Sequence, residues 1–388
     1  MQRLLLKPGK EKPILSHHHW IFSGALSNAP DVEPGSILPV YSSDNQLLGH
    51  GYYNPSSKIV VRMLSFDEAP FDNNALAALI EQAIARRKTN PLLSNTNAYR
   101  LIFSEGDFLP GLIVDQYAEH LVLQFLTLGM ERLKSQIVEI LREQLAPKSI
   151  YERSDHESRK AEGLKPVSGE LFGTTPDSIT IQEAGVLFAV HVKTGQKTGF
   201  FLDQRENRDL IRQLAPGKTV LNLFCYTGGF TLAALKGGAQ AATSVDSSEK
   251  ALSLLEENLA LNGITAPSST VKANVFEYLR SEPMKADLII VDPPALAKKR
   301  GDINSAARAY KDLNLQVFKN CPSGSLILTC SCSRYMDSDL FQKVIFSALL
   351  DANRKGVILR KISHPADHPI NLYHPESEYI KSLLLWVE

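Results

Sequence analysis

Cysteine is scarce in this chain. Its 388 residues hold four, Cys225, Cys321, Cys330 and Cys332, too few for a disulfide framework at this length, and such usage fits a compartment that keeps thiols reduced. The cytoplasm is the expected location. No second pair of cysteines or histidines stands at ligand spacing from Cys330 and Cys332, so no metal site is expected. The run His17-His18-His19 continues into Trp20, and packing or solvation is its expected role. Long apolar runs are missing as well. The longest are about strand length, far below the roughly 20 residues that span a bilayer. The opening Met1-Gln2-Arg3-Leu4-Leu5-Leu6-Lys7 has too short an apolar stretch for a signal peptide, and no membrane partner is expected. Net charge is absent too, with 42 basic residues against 42 acidic ones. An indiscriminate nucleic-acid coat would be basic throughout, whereas a balanced chain can still carry a local basic surface for one RNA.

What is present is a 44% hydrophobic composition, enough for a folded protein of two or three domains, and the composition divides it into three zones. Residues 1–68 contain short β-branched and aromatic runs, Ser36 to Tyr41, Leu47 to Tyr53 and Lys58 to Met63, separated by Gly, Pro, Asn and Ser, which predict a small β-rich module. Residues 72–185 mix patterns. Asn73 to Lys88 has helical spacing and ends on Arg86-Arg87-Lys88, Pro110-Gly111 marks a turn, His120 to Leu126 reads as a strand, and Glu131 to Gln144 as a helix. This zone is α+β. Residues 190–388 alternate strand and helix. Thr219 to Phe224, Ala242 to Asp246, Asp287 to Asp292 and Ser325 to Thr329 are apolar without alternation, the mark of a parallel sheet covered on both faces. Gly356 to Lys361 and Tyr379 to Val387 are candidates to complete it. The fold class is therefore α/β.

Ligands of an open parallel sheet bind beyond the carboxyl ends of its strands. After the first strand stands Cys225-Tyr226-Thr227-Gly228-Gly229-Phe230, whose glycines permit a tight turn. About 20 residues on, Asp246 ends the second strand, where a carboxylate can accept hydrogen bonds from a ribose; helix capping is its alternative use. The full GxGxxG fingerprint for a pyrophosphate is missing. A glycine turn with a ribose acid and no anion cradle fits S-adenosylmethionine better than a dinucleotide. The third strand ends on Asp292-Pro293-Pro294. Two prolines cannot continue a ladder, so they either stop the strand or present Asp292 and the neighbouring carbonyls at the sheet edge. Position 295 is Ala295, without the aromatic ring that would stack a base for amine methylation.

The sequence Leu326-Ile327-Leu328-Thr329-Cys330-Ser331-Cys332 carries two of the four cysteines past a buried strand. Methylation of a pyrimidine carbon needs such a group, because that carbon becomes nucleophilic only after a thiolate adds to its ring neighbour. Arg334 and Lys298-Lys299-Arg300 are basic residues that would favour the thiolate if they lay close. The competing use is packing, since cysteine is among the most buried residue types. Cys330 should lie beneath the helix layer and Cys332 farther out, so Cys332 is the expected nucleophile.

These blocks, with His19-Trp20-Ile21-Phe22-Ser23-Gly24-Ala25, Ser104-Glu105-Gly106-Asp107, Leu109-Pro110-Gly111, Lys197 to Arg205, Tyr310-Lys311-Asp312 and Ser331-Cys332-Ser333, resemble the bacterial 23S ribosomal RNA cytosine-5 methyltransferases. Those proteins join an N-terminal PUA domain to a Rossmann-like class I methyltransferase domain. The resemblance implies a PUA-like RNA-binding domain over 1–68, a central α+β domain over 72–185, and the S-adenosylmethionine-dependent domain over 190–388. It implies that Asp203, Gln204 and Arg205 line the methionine end of the cofactor, that Phe224, Tyr226, Gly228, Asp246, Asn274 and Val275 surround adenosine, and that Asp292 and Pro293 border the donor and hold the cytosine amine. Ala295-Leu296 stand where other cytosine-5 RNA methyltransferases keep a second cysteine, which leaves the base for the carbon-5 proton unassigned. Nitrogen methylation of a ribosomal guanine, or an inactive RNA-binding assembly factor, are the alternatives, and a homodimer is left open.

Overall fold

The structure, a computed structural model, describes residues 2–281 and 284–388; Met1, where the first expected zone begins, lies outside them. The chain divides into two compact units. One comprises Met1–Ile181, Val190–Leu202 and Ala366–Ser377, the other Gln182–Ala189, Asp203–Pro365 and Glu378–Glu388.

The first unit contains two sheets. In one, the strands Leu4–Leu5, Ile37–Tyr41, Leu47–Tyr53, Ile59–Ser65 and Trp20–Phe22 lie side by side in that order around a core that includes Leu4, Ile21, Val40, Val61 and Met63. In the other, the order is Val167–Gly173, Ser149–Ser154, His120–Phe125, Leu112–Tyr117 and Ala98–Phe103. Helix Asn73–Lys88 packs on this second sheet. It begins where Asp72 accepts a hydrogen bond from the Ala75 N–H at 2.9 Å, an N-cap. At its other end Arg87 turns inward to a buried bidentate pair with Asp107, at 2.5 and 2.7 Å. The helix expected over Glu131 to Gln144 is two helices, Leu128–Arg132 and Lys134–Leu145, because Leu133 closes the first by donating to Gly129 at 3.2 Å and the ladder restarts there.

The histidine run lies in this unit beside His374. Ligand atoms of His18, His374 and Glu376 approach within 4.8 Å of one another, close enough for a metal. The His18 Nδ1 accepts from the Trp20 N–H at 3.1 Å, and its Nε2 lies 3.4 Å from Glu376.

The second unit is built on seven strands: β1 Thr219–Leu223, β2 Ala241–Asp246, β3 Ser268–Lys272, β4 Leu288–Val291, β5 Ser325–Ser331, β6 Gly356–Ile362 and β7 Lys381–Val387. They lie in the order β3-β2-β1-β4-β5-β7-β6. The first five pair in parallel, and β7 runs antiparallel between β5 and β6. The helices are α1 Arg205–Leu214, α2 Gly229–Lys236, α3 Glu249–Leu261, α4 Val275–Ser281, α5 Ile303–Asn320 and α6 Ser338–Asp351. Both faces are apolar, and the period of two shows it. In β4, Ile289 and Val291 join a core with Leu313 and Phe341, while Leu288 and Ile290 join another with Ile211 and Phe230. This is why the strand reads as an unbroken apolar run. The strand order reverses at β1, so the carboxyl ends of β1 and β4 flank a crevice. Among the described residues no helix is long and apolar enough to cross a membrane.

Candidate active site

The turn after β1 is built from three residues in the left-handed region: Phe224 at φ 60°, Tyr226 at φ 48° and Gly228 at φ 84°. For a residue with a side chain this conformation costs about 1–2 kcal/mol, and the neighbouring strand end supplies the compensation. The Tyr226 N–H donates to Asp246 Oδ2 at 2.9 Å, and Asp246 Oδ1 accepts from the Ser248 N–H at 2.9 Å. The cap of α3 is Ser248, which accepts from Ala251 at 3.2 Å. Asp246 is thus a brace between strand end and turn, with lone pairs left for a further donor. At Gly228 the reason for glycine is internal packing as well as the turn: a Cβ would lie 2.6 Å from Leu255 Cγ and 2.9 Å from Leu232 Cδ1.

This edge fits an adenosine group. Asp246, Phe224 and Tyr226 are half-buried there, the ring of Phe224 meets that of Phe276 edge-on with centroids 6.3 Å apart, and no cation stands between Phe224 and Phe230 to hold a pyrophosphate. Asn274 is exposed and accepts from the Phe276 N–H at 2.9 Å, while Val275 is buried in the core, so Val275 can offer a bound group its backbone only.

The segment before and within α1 is tied to the sheet edge at several points. Gln204 Nε2 donates to Asp292 Oδ1 at 2.8 Å, and Asn207 Nδ2 donates to Gln204 Oε1 and to Ser382 Oγ, at 2.5 and 2.9 Å. Asp203 accepts from the Tyr379 hydroxyl at 2.7 Å. Arg205 and Arg208 converge on the buried Glu183, Arg205 at 3.2 Å and Arg208 at 2.6 Å, which holds that carboxyl below its ordinary range despite burial. Gln204 therefore reaches Asp292 directly, a contact the sequence reading did not foresee.

Asp292 and Cys332 stand one residue beyond the adjacent strands β4 and β5. Cys332 is half-buried, and its Sγ lies 3.8 Å from the Pro293 carbonyl. The other three thiols are buried, and burial pushes each above the ordinary range. At Cys225 the Asp246 charge adds to the effect, and at Cys330 the Asp292 charge does. On the far side of the Cys332 loop, the Tyr310 hydroxyl is 3.0 Å from Ser331 Oγ and 3.1 Å from Ser333 Oγ. Burial raises that phenol to about 12, so it is neutral.

The cation beside this loop is Lys381, the first residue of β7, whose Nζ donates to the Ser333 carbonyl at 2.8 Å. The sequence reading passed over it. The signal was available as the one charge opening an otherwise apolar strand, but the antiparallel register that sets it opposite Ser331 is not written in local pattern.

Comparison with known proteins follows this geometry. Residues 4–66 match the family model of the PUA-like domain, and residues 146–344 that of the S-adenosylmethionine-dependent methyltransferases. A ribosomal RNA large subunit methyltransferase I from Shewanella denitrificans is 42% identical over 98% of each chain, and one from Alteromonas mediterranea is 39% identical over 98% of each. Among solved structures, a candidate SAM-dependent methyltransferase from Streptococcus mutans is 26% identical and superposes over both whole chains with a TM-score of 0.84.

Proposed function

The chain belongs to the S-adenosylmethionine-dependent methyltransferases, and from that premise we propose that it methylates carbon 5 of a cytosine in 23S ribosomal RNA through a transient bond to Cys332. Its likeness to large-subunit ribosomal RNA methyltransferases runs the length of both chains, which supports the substrate class and, with it, action in the cytoplasm. The observation that carries the cytosine-5 reading is the placement of Cys332, the one thiol of four that is not buried, 3.8 Å from the carbonyl of the Asp292-Pro293-Pro294 turn.

Phe224, Tyr226, Gly228, Asp246, Asn274 and Val275 hold adenosine in this reading, and Asp203, Gln204 and Arg205 the methionine end. Bound there, S-adenosylmethionine supplies an electrophilic methyl group. Residues 1–68 and 72–185 grip the RNA, and 190–388 carry the chemistry. The target base leaves its stack, which costs a few kcal/mol. The Cys332 Sγ bonds to carbon 6, and the displaced π electrons give carbon 5 the nucleophilic character it lacked. Asp292, oriented by Gln204, and the Pro293 carbonyl accept hydrogen bonds from the exocyclic amine. Once carbon 5 is substituted, its proton passes to solvent water, the double bond returns and the bond from sulfur to carbon 6 breaks, releasing the thiolate.

Cys332→Ala is expected to abolish methyl transfer to unmodified 23S RNA and to leave S-adenosylmethionine affinity unchanged. Methylation retained by that variant overturns the covalent role. Mass spectrometry of the nucleosides made by the wild-type protein must show 5-methylcytidine; an N-methylated guanosine would move the assignment to the nitrogen chemistry.

A further inference from the structure

A buried ammonium ion is expensive and is almost always paired with an anion. Lys381 breaks that expectation. It is 6% exposed, its Nζ has the Ser333 carbonyl as its hydrogen-bond partner, and among the described residues no carboxylate lies within ion-pair distance of it. The carboxylates that act on it do so through space, Asp337 from the start of α6 and Glu378 from the approach to β7. Cys332 acts on it more strongly than either.

Besides these two carboxylates at a distance, the groups packed around Lys381 include one ionisable thiol. Tyr310, behind Ser331 and Ser333, is held neutral, as is the buried Cys330 on β5. His364 accepts from the N–H groups of Tyr379 and Ile380 at 2.9 and 3.1 Å and carries no negative charge. Asp292, bonded by Gln204 at the β4 end, puts its charge on Cys330 and not on Lys381. There remains Cys332, on the loop whose next carbonyl Lys381 grasps.

We propose that Lys381 is the built-in counter-ion of the Cys332 thiolate, a positioning residue whose ammonium, anchored on the Ser333 carbonyl, favours the anionic sulfur. The inference rests on the reading of Cys332 as nucleophile and adds to it the question of how the sulfur is ionised at neutral pH. The Sγ proton passes to solvent, and the thiolate it leaves stands beside an ammonium already in place. When the adduct breaks, the sulfur leaves as a thiolate beside the same ammonium, so one residue serves both attack and release. Burial brings Lys381 down to about 8, so near pH 7 it still holds its own proton and stands beside the loop as a cation.

The test follows Cys332 alone, by iodoacetamide labelling and peptide mass spectrometry of the full chain. Wild type is compared with Lys381→Met and Lys381→Arg from about pH 5.5 to 9.5, bracketing the ~8.5 of a free cysteine. The wild-type midpoint should fall below that of a free cysteine. Lys381→Met should move it up so that labelling at pH 7 slows at least tenfold, and Lys381→Arg should stay within threefold of wild type. Methyl transfer by Lys381→Met should fall in parallel at pH 7 and recover as the pH is raised, which a merely structural lysine would not produce. A wild-type midpoint at or above that of a free cysteine, or a folded Lys381→Met protein with the wild-type midpoint, overturns the pairing. If the methionine variant does not fold, the wild-type and arginine curves still decide. Labelling needs no RNA, so it is separate from the functional reading: a shifted midpoint together with full methylation by Cys332→Ala upholds the ion pair and removes the covalent mechanism.

Discussion

Replacing Gly228 with alanine tests whether the donor turn is shaped by the protein's own packing. The glycine sits at φ +84°, and an added Cβ would lie 2.6 Å from Leu255 Cγ. Two costs combine. An L-residue held in the left-handed region loses about 1–2 kcal/mol, and forcing a methyl against a packed leucine typically loses about 1–3 kcal/mol. The sum is about 2–5 kcal/mol, which for a unit of this size lowers the melting temperature by roughly 5–15 °C. Gly263 is the control. It lies just past α3 at φ +57° with nothing within 4 Å of its Cβ position, so Gly263→Ala should show the backbone cost alone, about 1–2 kcal/mol. Calorimetry of the two variants, with and without saturating S-adenosylmethionine, separates the terms. Gly228→Ala should melt several degrees below Gly263→Ala and should lose much of the ligand-induced rise, since relieving the overlap moves the turn. Equal melting temperatures and equal ligand-induced rises would refute the packing argument.

Asp246→Asn keeps the shape of the brace but sets an amide NH2 against a backbone N–H, either that of Tyr226 or that of Ser248. A hydrogen bond to a charged group is worth about 1.5–3 kcal/mol, so S-adenosylmethionine affinity in a calorimetric titration should fall about 10- to 100-fold; unchanged affinity with reduced stability would assign Asp246 to structure alone. His374 is 1% exposed and burial brings it down to about 4 from 6.5. Below pH 6.5 the unfolded chain binds a proton that the folded ring refuses, so the stability this site contributes is present above pH 6.5 and is lost toward pH 4, up to about 3 kcal/mol. Urea titrations at pH 7 and 4.5 should show a smaller loss for His374→Gln than for wild type, and parallel losses would count against the assignment.

The fold of the second unit was legible because its strands are buried on both faces. An apolar run such as Asp287 to Asp292 can only be a covered strand or a short helix segment, and the prolines at 293 and 294 decide between them. What was not legible depends on contacts between residues far apart in the chain. Lys381 is 49 residues from Cys332 and comes near it only because β7 turns antiparallel beside β5. The reach of Gln204 to Asp292 spans 88 residues. The break at Leu133 has no proline or glycine to announce it.

Parity along the last strand explains why the chain carries two cysteines at that strand's end. Side chains of an extended segment alternate between faces, so Cys330 and Cys332 share one face while Ser331 and Ser333 share the other. The serines on their face both bond to the Tyr310 hydroxyl, which pins the loop on that side and keeps the alternation going past the last ladder residue, Ser331. The Cys332 Sγ lies 3.8 Å from the Pro293 carbonyl. Cys330, two residues earlier on the same face, is still beneath the helices, in the core with Ile211, Phe230 and Ile290. The two thiols therefore differ only in whether their position falls before or after the end of β5. Burial disfavours ionisation of the first, while the second meets solvent with a lysine beneath its loop. A one-residue shift in the register of β5 would exchange the two faces, so the register, together with the two serines that hold the loop, sets the Cys332 sulfur beside the Pro293 carbonyl.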